Sequence, residues 1–575
     1  MSAAELGDAA TGAAAWWKRA VIYQIYPRSF QDSDGDGVGD LPGIVSRLDY
    51  LAELGVGALW LCPVYASPNV DGGYDISDYR GIMSELGTMA DMDELLAEAH
   101  RRGIKIIMDL VVNHSSDEHE WFIESRAARR ERDKEGARRD YYIWRPGRDG
   151  GPPNNWASRF GGSAWTLDEA SGDWYLHLFS ARQPDLNWAC PELRSEVYET
   201  MAWWLEKGVD GFRLDVINMI AKDEAFPDCP LREGEAWADA SRCYVNRPEA
   251  HAHLRAMRER VLSGYGAMTI GETPETDPSG ARDYVDPARG ELDMVFQFDR
   301  SCLGCGATKW EKVPWTLAEL KEIDRSWYEG LAGRGWNSVF LNNHDQPRMV
   351  SQYGDDGDYR ARSAKLLATY VHTQPGTPFV YQGEEIGMTN APFSRIEDCR
   401  DIESTSWYEA RLVEGGNPEA LMAEIRRMGR DNARTPMQWD AGAGAGFSRG
   451  EPWIKLNPNY RNVNVAESMA DPDSIWRYYR KLISLRAQES LMVDGSFEIL
   501  EDEDPEVYTY LRRGEGGCLL VLLNFGSRPA SARLPDAARG AKLLLANIAA
   551  DAACPRAEVD LEPWEARLYK ISPMQ

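Results

Sequence analysis

Three short apolar runs in this chain each end on an acid, and that repetition constrains the fold more than any other feature. Gly211-Phe-Arg-Leu-Asp-Val216 reads as a buried strand that delivers Arg213 and Asp215 together at its end. Glu272 follows the apolar Ala267-Met-Thr-Ile270, and Asp345 follows Ser338-Val-Phe-Leu341. Separate strands that present polar groups at the same end are the wiring of a parallel barrel, whose site lies at the C-terminal ends of its strands. A carboxylate held beside a guanidinium stays ionised and can attack carbon. With a second carboxyl to protonate a leaving oxygen, the set meets the needs of glycoside hydrolysis.

The rest of the chain agrees with that wiring. Residues 20–26, 58–61 and 105–110 read as strands, and between the first two Ile44, Val45, Leu48, Leu51 and Ala52 fall on one helical face. A helix at 192–207 precedes strands at 211–214, 268–270, 294–298, 338–341 and 379–381. The β-then-α alternation predicts an α/β fold, a (β/α)8 TIM barrel. Between His114 and Gln183 the rhythm lapses into a charged, Gly- and Trp-rich stretch too long for an ordinary connection, which predicts a small inserted domain after strand 3. A Gly- and Pro-rich excursion spans about 384–464, and a closing helix is expected at 474–488. Beyond it, alternating runs such as Glu506-Val-Tyr-Thr-Tyr-Leu511 and Cys518-Leu-Leu-Val-Leu-Leu-Asn524 predict a C-terminal antiparallel β-sandwich. The expected division is a barrel at 16–113 and 188–490 carrying the 384–464 subdomain, an inserted domain at 114–187, and a β domain at 491–575.

Composition narrows the partners. The 64 basic and 92 acidic residues leave a formal charge of -28, which repels nucleic acid and anionic membrane surfaces but costs an uncharged sugar little. No apolar run reaches the length of a membrane span, and residues 1–15 lack the basic start and leucine-type run of a secretory signal. Nine cysteines scattered from Cys62 to Cys554 suit a reducing cytoplasm, and Cys302-Leu-Gly-Cys305 reads as loop thiols.

The motifs Asp109-Leu-Val-Val-Asn-His114, Gln183-Pro-Asp-Leu-Asn-Trp188, Gly211 to Val216, Gly271-Glu-Thr273, Asn342-Asn-His-Asp-Gln-Pro-Arg348 and Asn432-Ala-Arg-Thr-Pro-Met-Gln-Trp439 occur in this order. Together they resemble the α-amylase superfamily (glycoside hydrolase family 13), and within it the oligo-1,6-glucosidase and dextran glucosidase group. The resemblance implies a retaining exo-α-glucosidase with Asp215 as nucleophile, Glu272 as acid/base and Asp345 as the carboxylate that grips the distorted sugar. It further implies that His114 and His344 donate to sugar hydroxyls and that Arg213 keeps Asp215 ionised. Asp71 and Arg434 would close the pocket behind the glucose, Tyr74 would stack on it, and Phe179, Gln183 and Asp109 would line it. Val216, beside the nucleophile, accompanies α-1,6 preference in the family.

Asp32-Ser-Asp-Gly-Asp-Gly-Val-Gly-Asp40 places carboxylates at alternate positions with glycines that permit a tight wrap around a hard cation. It is not a complete EF-hand, since Gly43 stands where that loop needs a glutamate. The resemblance implies structural Ca2+ or Mg2+ held by Asp32, Asp34, Asp36, the carbonyl of Val38 and Asp40, and no organic cofactor. The expected partner is a small neutral oligosaccharide, and the expected state is a cytoplasmic monomer or weak homo-oligomer.

Three alternatives remain open at this level. An α-1,4-glucosidase would use the same carboxylates. A sucrose isomerase or transglucosylase would pass the glucosyl group to a sugar, but the sucrose isomerases of this family carry an Arg-rich loop where Phe296-Gln-Phe-Asp-Arg-Ser301 has only Arg300. A non-catalytic binding relative would carry a membrane span and a degraded set of acids, and this sequence has neither feature.

Overall fold

The computed structural model describes residues 15–572 apart from 134, 135, 137, 501, 502, 539, 540 and 551–556. Eight short strands, β1 (Ile22–Ile25), β2 (Ala58–Leu61), β3 (Lys105–Leu110), β4 (Gly211–Leu214), β5 (Met268–Glu272), β6 (Met294–Phe296), β7 (Ser338–Val339) and β8 (Thr377–Tyr381), form one parallel sheet. Its order is β6-β5-β4-β3-β2-β1-β8-β7, and a parallel bridge between Val295 and Asn337 closes β6 on β7. The result is a TIM barrel. Its strands are buried on both faces, which is why they read as continuous apolar runs rather than alternating ones.

Two apolar layers hold the barrel. Ile22, Trp60, Ile107, Met268, Ile270, Phe296, Phe340 and Phe379 fill the interior, while Tyr23, Leu59, Ile106, Phe212 and Val295 pack outward against the helices. β4 and β5 approach so closely at Gly211 that a Cβ there would sit 2.4 Å from the Met268 carbonyl oxygen, so only glycine fits. The helices carry explicit start and stop signals. α1 (Met89–Arg101) opens on a reciprocal cap between Thr88 and Asp91. α2 (Pro191–Lys207) opens on a proline and ends at Gly208 in the left-handed conformation.

After β3 the chain forms a helix (Glu120–Arg130) and a three-stranded antiparallel sheet of Trp144–Pro146, Asp173–Leu176 and Trp165–Leu167. It rejoins the barrel through a bridge between His114 and Asp185. The excursion after β8 contains two helices that the Gly- and Pro-rich reading gave no sign of, Ile402–Val413 and Pro418–Met428, capped by the Asp401 and Asn417 side chains. The C-terminal unit is a five-stranded antiparallel sheet with Ala530–Arg533 and Glu558–Leu561 paired over it. Leu520, Leu522, Val559 and Leu561 fill the space between, whereas Tyr508, Tyr510 and Val521 on the other face join the barrel's outer core. Among the described residues no helix is long and apolar enough to cross a membrane. The eight described cysteines are free thiols, and Cys554 lies outside the described residues.

Candidate active site

The site is organised around the Arg213 guanidinium. Register places Asp109 of β3 directly beside Arg213 of β4, and Asp215 lies two residues on, where the strand period returns to the same face. Arg213 Nη1 donates to Asp109 Oδ1 and to Asp215 Oδ1, both at 2.6 Å, and Nη2 donates to Glu272 Oε2 at the end of β5. The Arg213 side chain is 2% exposed, Asp215 8% and Glu272 14%. Burial raises the Asp215 carboxyl, Arg213 pulls it down, and the charges of Glu272 and Asp109 push it up again, with a net upward direction. Asp109 is pushed up to about 6, chiefly by burial. Asp109 and Asp215, which share one guanidinium, therefore both take up a proton more readily than free carboxyls do.

Glu272 Oε2 accepts a second hydrogen bond, at 3.1 Å, from the Val216 backbone N–H. With that oxygen taken by two donors, Oε1 is the one able to carry and deliver a proton. Val216 supplies this N–H from a left-handed conformation, φ +34° and ψ +42°. For a β-branched residue that geometry costs about 1–3 kcal/mol and persists only where the surroundings impose it.

Above this cluster lies a wall of rings. Tyr74 stacks on His344 at 5.2 Å with planes 12° apart and donates through its hydroxyl to Asp109 Oδ2 at 3.2 Å. Burial lowers His344 to about 3, so the ring is neutral. Gln24 Nε2 donates to His344 Nδ1 at 2.9 Å, which leaves the proton on Nε2. His344 Nε2 has no hydrogen-bond partner among the described residues and lies 3.5 Å from Asp345 Oδ1, ready to donate to a bound hydroxyl. His114 is likewise lowered, to about 4, by burial. Its Nε2 lies 3.2 Å from the Tyr74 carbonyl and 3.3 Å from Gln183 Nε2, and Phe179 covers its ring at 5.1 Å.

A second cluster of charges closes the opposite end. Gln183 Nε2 donates to Asp71 Oδ2 at 3.1 Å, and burial raises Asp71 to about 6. The ion pair of Asp71 runs to Arg430 Nη1 at 3.4 Å, not to Arg434. Arg434 instead donates to Asp345 Oδ1 at 2.7 Å. Both arginines come from one tight turn, and the longer reach to Asp71 falls to the residue that precedes the short helix Asp431–Arg434. Burial works to raise Asp345, but Arg430, His344 and Arg434 outweigh it and hold the carboxyl well below its ordinary range. At 27% exposed, the Asp345 side chain is the most open of the three catalytic candidates.

Sequence reasoning missed Arg430, Asp401 and Glu403. Arg430 pairs with Glu403 at 2.8 Å and lies within 4 Å of Asp345 and Asp401, while Asp401 is fully buried between Arg430 and Arg434. Phe160 was missed too; it lies under Arg430 at 5.6 Å and against Phe179 at 5.6 Å. Arg430 was legible in the sequence only as the other cation of Arg430-Asp-Asn-Ala-Arg434.

Residues 24–495 match the α-amylase catalytic-domain family, and 495–568 match a domain of unknown function, DUF3459. The chain belongs to the α-amylase family of glycoside hydrolases. It is 55% identical to an oligo-1,6-glucosidase of Parageobacillus thermoglucosidasius over 97% of this chain and 99% of that one. It is 46% identical to a trehalose-6-phosphate hydrolase of Bacillus subtilis over 97% and 98%. Among solved structures it is similar to a trehalulose synthase, with a TM-score of 0.93 at 44% identity over 97% and 100% of the two chains.

Remote from the carboxylates of this α-amylase barrel, the acidic loop brings oxygens of Asp32, Asp34 and Asp40 within 4.8 Å of one another. Burial raises Asp40, and the Asp32 charge adds to the effect, whereas at Asp32 hydrogen bonds from Ser448, Gly35 and Gly37 outweigh burial and lower the carboxyl. Asp36 stays outside the cluster: it is exposed, and its Oδ1 accepts from the Val38 N–H at 2.7 Å.

Removing the shared cation tests the geometry. Arg213→Gln strands three buried acids and is expected to lower stability by about 3–5 kcal/mol. Arg213→Lys keeps the charge but loses the fork, so Asp215 titrates higher and the acidic limb of kcat/KM against pH moves to higher pH. A folded Arg213→Lys enzyme with an unmoved acidic limb would contradict this account.

Proposed function

We propose that this α-amylase-family enzyme is a retaining exo-α-glucosidase that removes terminal α-1,6-linked glucose from isomaltose and short isomalto-oligosaccharides. The observation that carries the reading is the pair of carboxyls, Asp215 and Glu272, held on one guanidinium at the ends of adjacent strands. In the first step Asp215 attacks the anomeric carbon while Glu272, through Oε1, protonates the leaving oxygen. In the second, Glu272 takes a proton from water, and that water displaces Asp215. Asp345, kept ionised by Arg430 and Arg434, faces the positive charge that develops on the ring, and the neutral His344 donates to a hydroxyl. Asp71 and Arg430 block the far end of the pocket, which supports release of single terminal units.

Linkage rests on Val216 and on the oligo-1,6-glucosidase relatives. An α-1,6 bond inserts a rotatable methylene, so the second sugar can swing clear of a stiff, branched side chain; an α-1,4 acceptor cannot. Arg300 supports hydrolysis over isomerisation, because it is buried against Asp324 and offers no guanidinium to the acceptor side. The enzyme is read as a cytoplasmic monomer or weak homo-oligomer acting on neutral sugars. Asp32, Asp34 and Asp40 would hold a structural Ca2+ or Mg2+, supplying charge neutralisation to the loop and no part of the chemistry.

Three measurements test the proposal. A mechanism-based fluoroglucosyl inhibitor should label Asp215, and a label on Glu272 or Asp345 would overturn the assignment. Wild-type kcat/KM should favour isomaltose over maltose, with the ratio falling by about 5- to 100-fold in Val216→Ala or Val216→Thr; an unchanged ratio removes Val216 as selector, and a wild type preferring maltose removes the α-1,6 reading. Chelation should lower the Tm more than it lowers turnover of the still-folded enzyme, and an unchanged melt would remove the metal.

A further inference from the structure

Arg348 ends the segment 342–348 that carries Asp345, and it is 1% exposed. Among the described residues no carboxylate pairs with it. Its guanidinium donates instead to three backbone carbonyls: Nε to Asn432 at 3.2 Å, Nη2 to Ala433 at 3.0 Å and Nη1 to Gln382 at 2.5 Å. A buried charge without an ion pair is costly, so an apolar side chain would serve packing alone better.

The identity of the three carbonyls gives the charge a purpose. Asn432 and Ala433 belong to Asp431–Arg434, a single helical turn whose carbonyls find no partners within it. That turn ends in Arg434 and follows Arg430, the two cations that, with His344 and against the effect of burial, hold Asp345 ionised. Gln382 directly follows β8, and its side chain accepts from the Tyr26 N–H beside β1 at 2.8 Å. One guanidinium thus joins the Asp345 segment, the arginine turn and the barrel rim. Among the described residues, the other hydrogen bonds between 342–348 and the turn come from Arg434 itself, to Asp345 Oδ1 and to the His344 carbonyl. The Thr435 and Tyr381 hydroxyls share the Asn432 and Ala433 carbonyls, but neither residue belongs to the Asp345 segment.

We propose that Arg348 is a positioning residue for the reaction: by spanning Asn432, Ala433 and Gln382 it sets where Arg430 and Arg434 stand against Asp345. This rests on the reading of Asp345 as the carboxylate that faces the charge developing on the sugar. Three carbonyls from two segments match the fixed N–H directions of a guanidinium, which an ammonium lacks. Arg348 is not among the charges that chiefly set the state of Asp345, so its influence passes through the turn. Arg512 is the natural control. It too is buried and donates to carbonyls, those of Thr373, Val493 and Gly495, but it does so where helix Arg360–Thr373 meets the C-terminal sheet.

The test measures kcat/KM on para-nitrophenyl α-glucoside, whose cleavage is independent of linkage preference. Arg348→Lys and Arg348→Gln are each made in the wild type and in Asp345→Asn, and all variants are assayed at a temperature where circular dichroism shows them folded. Either Arg348 substitution should lower kcat/KM by about tenfold or more in the wild type, but by about twofold or less once Asp345 is neutral, because the two residues act on one function. Arg512→Lys should lower the Tm and leave kcat/KM within about twofold. Equal losses in the two Asp345 backgrounds, an undiminished kcat/KM in the Arg348 variants, or an equal loss in Arg512→Lys would each overturn the proposal and leave the function standing. A wild type inactive on this glycoside, or an Asp345→Asn enzyme as active as wild type, would overturn the underlying reading and the proposal with it.

Discussion

A single buried guanidinium fixes how Asp215 and Glu272 lie. Arg213 is bonded to acids from three different strands or strand ends, Asp109, Asp215 and Glu272, so the barrel must bring β3, β4 and β5 into one register before the cluster can exist. Burying a charge this deeply is tolerable only because its partners are in place, and the partners are tolerable only because it is there. Gly211 shows how tightly that register is held, since any side chain would strike the Met268 carbonyl and push β4 off β5. Catalytic geometry and fold are one constraint at this point.

The second arginine pair does the opposite work. Around Arg213, burial and mutual repulsion push Asp215 and Asp109 up despite the guanidinium; around Asp345, Arg430, His344 and Arg434 outweigh burial and keep the carboxyl charged. Neighbouring carboxyls at one barrel end are thereby set apart, with Asp215 shifted up and Asp345 held ionised. His114 and His344 complete the division, because burial keeps both neutral and so able to donate without adding charge.

Much of this was legible in the sequence, for physical reasons that also explain what was not. Strands buried on both faces announce themselves as unbroken apolar runs, and the acids Asp215, Glu272 and Asp345 at or just beyond the ends of three of them mark the working end of the barrel. Helices Ile402–Val413 and Pro418–Met428 were hidden because capping and neighbouring contacts, rather than composition, secure them within a Gly- and Pro-rich stretch. The choice between Arg430 and Arg434 for Asp71 depends on a turn whose direction is set by contacts some hundreds of residues away in the chain, and spacing alone is silent on it.

The left-handed turn at Val216 could not be read from sequence, since a β-branched residue is among the least expected there. Its persistence has an identifiable support. The next residue, Ile217, packs over Gly271, where an added Cβ would lie 3.1 Å from the isoleucine Cγ2, and Gly271 directly precedes Glu272. The turn after Asp215 is thereby wedged onto the strand that ends in Glu272, and the Val216 N–H donates to Glu272 Oε2. Relaxing Val216 to an ordinary extended conformation would lift Ile217 from its seat and withdraw that N–H together. The strain at Val216 is thus the means by which the position of one carboxyl is transmitted to the other.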